Sequence, residues 1–129
     1  PNDQSKALER YSLNKDNAYI KSDNEDLQSI INGIRGNKGK VSLKIGNPLM
    51  LTTEDYEETA LKIDANIKNL YLNHPTNYAA CDLLGIGYEK CSFNREKILE
   101  AQTELKSRLE PLKKEAHNLL LDQYSNSVL

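Results

Sequence analysis

The chain has 129 residues, a formal net charge of −2 and a hydrophobic fraction of 38%. That length suits one domain able to bury a core without staples, and the apolar content is too high for a disordered chain. Lysines and arginines are interspersed with acids, which gives no global pull toward nucleic acid, and no apolar run is long enough to span a membrane.

Trp is absent, Phe occurs once and the seven tyrosines are scattered, so no aromatic platform for single-stranded nucleic acid stands out. Lys outnumbers Arg, Asn is abundant, and no Asn lies in an N-x-[ST] sequon. We read this as the composition of a bacterial or phage protein.

Residues 1–21 read as a less ordered arm, with a short helix over 3–13 placing Ala7, Leu8 and Tyr11 on one side. Residues 22–35 are more regular. Ser22 with Glu25 has the spacing of a capping box. Leu27, Ile30, Ile31 and Ile34 then fall on one helical face. Gly36 is placed to end the helix in a left-handed conformation.

A connector over 36–51 follows. Within it Lys40-Val41-Ser42-Leu43-Lys44-Ile45 alternates polar and apolar, the periodicity of a strand. This short extended segment either lies on helices or offers an edge, through Val41, Leu43 and Ile45, to a partner. The glycine-rich stretch 33–40 ends Gly39-Lys40, like part of a phosphate-binding loop. Val41 stands where Ser or Thr would hold magnesium, and the helix–loop–strand order is reversed. A basic connector is the simpler reading, with Arg35, Lys38 and Lys40 as its cations.

Residues 52–74 predict a long helix. Thr52 or Thr53 can cap it, and acids fill its first turn. Tyr56, Ala60, Ile63, Ile67 and Leu70 repeat in a 4-3-4-3 spacing, the seam of a helix pair. Leu61, Tyr71 and Leu72 widen the stripe. His74-Pro75 should end it. Thr76 can then cap a short helix over 77–84, broken by Gly85 and Gly87. A final helical segment over 93–124 begins at Ser92 or Asn94. Its inner positions are Phe93, Ile98, Leu105, Leu109, Leu112, Ala116, Leu119 and Leu120. Unbroken it would be about 48 Å long, so Pro111 should split it near Glu110.

The fold class these elements imply is mainly α, a compact single-domain bundle of three to five helices built around 52–74 and 93–124. Cys81 and Cys91 lie in the link between these segments. Two cysteines make no zinc pattern and are too far apart for a redox dithiol. The intervening glycines let the chain turn back, so a disulfide is the leading reading, and it would place the protein in the periplasm or outside the cell.

His74 and His117, the only histidines, lack metal-ligand spacing, and no nucleophile motif or carboxylate pair stands out. No cofactor, metal or catalytic residue is expected. Leu119, Leu120 and Leu121 cover more than half a helix circumference, and either pack deeply or offer a patch to a partner or second copy. The expected function is a non-enzymatic module that binds another protein, as adaptor, inhibitor, immunity or host-binding protein. The alternative is a cytosolic regulator contacting nucleic acid or its machinery through Arg35–Lys40 and Lys113-Lys114. A small enzyme is the third reading.

Overall fold

A computed structural model describes residues 3–36, 39–50 and 55–128. The fold is mainly helical, with six α-helices where three to five were expected: α1 (Asp3–Asp16), α2 (Glu25–Arg35), α3 (Tyr56–Leu70), α4 (Pro75–Leu84), α5 (Arg95–Leu109) and α6 (His117–Ser125), with a 3-10 turn over Lys114–Ala116. The described residues contain no strand. The chain divides into two units, 1–38 with 73–129, and 39–72.

In the first unit α4 is the central element. It packs on α5 and α6, while α1 packs on α6. Asn77 starts the helix from inside: its Oδ1 accepts the His74 N–H at 2.6 Å and its own N–H reaches the His74 carbonyl at 2.9 Å. Pro75 is the first helical residue, where its missing N–H costs nothing. The helix therefore begins at Pro75 rather than under a Thr76 cap, and His74 opens α4 instead of closing α3.

At the other end Gly85 takes φ +70°. Its N–H reaches Asp82 O at 3.2 Å and the Ile86 N–H reaches Cys81 O at 2.9 Å. This paired closure satisfies two carbonyls that the helix would leave bare.

The long C-terminal segment divides as Pro111 requires. Asn94 caps α5 by accepting the Lys97 N–H at 3.1 Å, and α5 ends at Leu109. The chain then turns through the 3-10 segment into α6, so α5 and α6 both reach α4. Ile98, Ala101, Leu105 and Leu109 from α5 meet Leu112, Leu120 and Leu121 in one core with Tyr78, Ala79 and Ala80.

The N-terminal arm belongs to this core. The helix expected to end at residue 13 continues to Asp16 and stops where Asn17 adopts φ +52°. Ala7 is buried against the core, its single methyl allowing close approach.

Helix α2 starts at Glu25, three residues later than Ser22. The Glu25 carboxylate accepts the Ser22 N–H at 3.1 Å, the returning half of a capping box, while Asn24 sits at φ +67°. Gly36 is extended, with φ −64°, rather than left-handed. Helix α2 buries no residue.

In the second unit Asp55 caps α3 by accepting the N–H groups of Glu57 and Glu58 at 2.9 and 3.3 Å. The expected caps Thr52 and Thr53 lie outside the described residues. Helix α3 ends at Leu70, before His74-Pro75. Gly46 of the extended segment passes so close to Leu70 that an added Cβ would lie 2.8 Å from its Cδ1.

Helix α3 buries no residue, which corrects the expectation that 52–74 is half of the core. A single helix and one extended segment supply no second layer able to enclose side chains. The core belongs to α1, α4, α5, α6 and the 3-10 turn instead.

Leu105→Ala should therefore cost about 2–5 kcal/mol of unfolding free energy, whereas Ile30→Ala on α2 should change it by about 0.5 kcal/mol or less. Urea titrations followed by far-UV circular dichroism compare the two. Equal losses would contradict this assignment of the core.

Candidate interaction surfaces

The three leucines, the 40–45 segment and the two cysteines each have a definite place. Leu120 and Leu121 are buried, and Leu119 is half-buried against the same cluster. The three leucines are thus not a surface patch. Helix α6 meets α4 on one side and α1 on the other, so more than half of its circumference is enclosed, and three successive apolar positions are what that environment requires.

Val41, Leu43 and Ile45 are the opposite case, being 77%, 86% and 87% exposed. The segment that carries them is extended but forms no ladder among the described residues. Its alternation is real in the sequence, and both of its faces meet solvent.

Cys81 and Cys91 are both free, which corrects the expected disulfide. Cys81 lies on the fully enclosed side of α4. The Cys91 sulfur is held by its own loop instead: it accepts the Phe93 N–H at 3.4 Å and its thiol faces Phe93 O at 3.6 Å. Gly85 does reverse the chain, but the returning segment brings Tyr88 and Phe93 onto Tyr78 rather than cysteine onto cysteine. Those rings meet edge-on, with centroids 5.1 and 6.0 Å apart. Burial first, and then the neighbouring Asp82 carboxylate, push the Cys81 thiol above its ordinary pKa. A protonated, enclosed thiol is inert.

No cluster of three metal-ligating side chains occurs among the described residues, and none of their helices is long and apolar enough to cross a membrane. A recess of about 440 Å³ lies between Asn73, Tyr78, Tyr88, Glu89, Lys90 and Val128. The buried Asn73 Oδ1 has no hydrogen-bond partner among the described residues.

A polar knot that sequence spacing did not signal joins α1, α5 and α6. The Asp3 carboxylate accepts from the Arg108 guanidinium at 2.9 Å and from the Tyr124 hydroxyl at 2.5 Å. Arg108 also donates to Glu104 at 2.6 Å, and Gln4 Nε2 donates to Arg108 O at 2.7 Å. Burial alone would push the Asp3 carboxyl up, but the Tyr124 hydroxyl and the Arg108 cation outweigh it and hold it below its ordinary value. Burial and the Asp3 carboxylate push the Tyr124 phenol well above the tyrosine range, so it stays a donor. The groups are satisfied by one another, which is the arrangement of a structural clamp rather than of a reacting site.

The exposed features that depart from an ordinary polar surface are apolar. On α2, Leu27, Ile30 and Ile34 are 56%, 58% and 77% exposed. On α3 the seam shows Tyr56, Ile63 and Ile67 at 89%, 39% and 54%. Single exposed aliphatics are ordinary, but helical stripes of them are not. On another side of α3, Lys62 and Glu58 form an ion pair at 2.7 Å.

Two outcomes follow. Native alkylation should modify Cys91 well before Cys81, and denaturation should expose both to reagent, as read by intact mass without reductant; an unreactive pair in denaturant would restore the disulfide. For the knot, a carboxyl whose folded pKa lies below its unfolded value stabilises above about pH 4 and loses that contribution as pH falls through the lowered value. Asp3→Asn should thus cost about 1–3 kcal/mol at pH 6 and progressively less toward pH 2 in urea titrations. A pH-independent difference would mean that the charge plays no part.

No family model matches the chain, and no curated protein or solved structure matches it, so the functional reading rests on these surfaces.

Proposed function

We propose that the chain is a non-enzymatic module that binds another protein through the apolar faces of α2 and α3 and through the 40–45 segment. One contrast carries this reading. Apolar residues of α1, α4, α5 and α6 close a core, while the equally periodic faces of α2 and α3 enclose nothing. Burying a large aliphatic side chain is worth roughly 1.5–3 kcal/mol. Stripes of such side chains kept at helical spacing but left in water fit a surface whose covering comes from elsewhere. Helix-in-groove and helix-on-helix recognition use residues at i, i+3, i+4 and i+7, the spacing of Leu27, Ile30, Ile31 and Ile34.

The compact bundle expected from the sequence enters this proposal only as the closed core of the first unit. With both thiols free, no compartment follows from them, and the exported location loses the disulfide on which it rested. The rival reading, a nucleic-acid contact through Arg35, Lys40, Lys113 and Lys114, gains nothing specific, because Lys113 leans over the Tyr11 ring, 5.9 Å from its centroid, and the overall charge is negative. Lys38 lies outside the described residues.

The test is affinity capture with the parent chain, an α2 variant (Ile30→Asp with Ile34→Asp) and an α3 variant (Ile63→Asp with Ile67→Asp). Both variants should keep the parent's Tm and helix content, because the altered side chains are exposed, and should lose at least 90% of a captured protein on the order of a tenfold change. Capture that is indifferent to both variants removes this proposal.

A further inference from the structure

The elements of the closed core are not held equally. Helices α4, α5 and α6 bury several side chains each, whereas α1 buries only Ala7 of its 14 residues. Its larger aliphatics, Leu8 and Leu13, are 38% and 43% exposed. Helix α1 packs on α6 and on the 3-10 turn. Asp3, Ala7 and Tyr11 follow one another at i, i+4 and i+8 along one side of it. Ala7 supplies the enclosed contact, and the Lys113 ammonium lies 5.9 Å from the centre of the Tyr11 ring.

Among the described residues, every hydrogen bond from α1 to another helix involves its first two residues. The Asp3 carboxylate accepts from Arg108 and Tyr124, the Asp3 carbonyl accepts from Gln123 Nε2 at 3.1 Å, and Gln4 Nε2 donates to Arg108 O. The far end has no such tie. The chain leaves it through Asn17 at φ +52° and goes on to α2, which buries no residue. A helix pinned at one end and enclosed at a single methyl has little apolar area to hold it. Detached, a helix of this length is marginal in water, so undocking and melting of α1 are one event. The packing of α4 on α5 and α6 does not run through α1.

We infer that α1 is a releasable strap, latched by Asp3 onto Arg108 and Tyr124, which opens as one unit while α4 and α5 stay folded against α6. Opening changes the surface that the chain presents. It bares the Arg108 guanidinium, the Tyr124 hydroxyl and the side of α6 on which α1 rests. Segments that gate a surface are drawn from the least stable part of a fold, and within this core that part is α1.

Hydrogen exchange of the full chain tests this, read by mass spectrometry of peptic fragments at urea concentrations below the unfolding transition. The hydrogen-bonded amides of α1 should exchange at least about tenfold faster than those of α4 and α5, with little dependence on urea, because a local opening exposes little surface. Asp3→Asn should speed the exchange of α1 about tenfold. Arg10→Gln, at an exposed position of the same helix, should leave it within about twofold. Ala7→Asp should hold the strap open: α1 loses its protection and the chain part of its helix signal, while α4 and α5 keep theirs and still unfold cooperatively. Exchange of α1 with the steep urea dependence of α5, an Asp3→Asn effect no larger than that of Arg10→Gln, or loss of protection in α4 and α5 with Ala7→Asp would each overturn the inference.

Discussion

The structure depends on the close approach of α5 and α6 to α4. Ala79, Ala80 and Cys81 are successive residues, and each is completely buried. Three successive positions turn through about 200° of a helix, so α4 is enclosed over more than half of its circumference. Only small side chains allow this, because interiors are packed to crystal-like density and a longer side chain at these positions would push a neighbouring helix away. Leu105 and Leu120 fill the space that the small residues leave.

Polar groups fix the arrangement that this packing permits. Asn77, almost fully buried, joins two elements at once: its Oδ1 caps α4 and its Nδ2 donates to Tyr124 O on α6 at 2.8 Å. Tyr124 then carries the link to Asp3 and Arg108, so α1 and α5 are tied into the same register. A buried amide with both ends paired specifies one alignment of helices, where apolar contact alone would tolerate several. Away from this knot, exposed ion pairs such as Lys21 with Asp26 add little, because solvent screens them.

This closed core gives meaning to the faces it leaves out. The chain contains two kinds of amphipathic helix. In one kind the apolar stripe has found its cover within the molecule, and in the other it has not. The second kind, α2 and α3, carries the faces proposed above for binding. The free cysteines fit the first kind: Cys81 is a small buried packing residue and Cys91 closes a local loop, so neither needs to be assigned chemistry.

Much of the local structure was legible in the residues themselves. Pro111 divides the last helical segment because a proline cannot continue the hydrogen-bond ladder, and Gly85 ends α4 because glycine, lacking a Cβ, takes φ +70° at no steric cost. Asn94 caps α5 through its own side chain. Six of the eight inner positions named in the last segment are buried, since 3.6-residue periodicity is a property of sequence order. The candidate surfaces were less legible. The stripes on α2, α3 and α6 look alike in sequence, and only the tertiary arrangement decided that Leu120 and Leu121 are covered while Ile30, Ile34 and Ile67 are not. The Asp3–Arg108–Tyr124 knot, whose members lie more than a hundred residues apart from end to end, likewise came only with the fold. The reason is the same in each case. Periodicity tells which side of a helix seeks cover, but cover is a contact between distant parts of the chain, and its presence depends on whether a second layer exists to provide it.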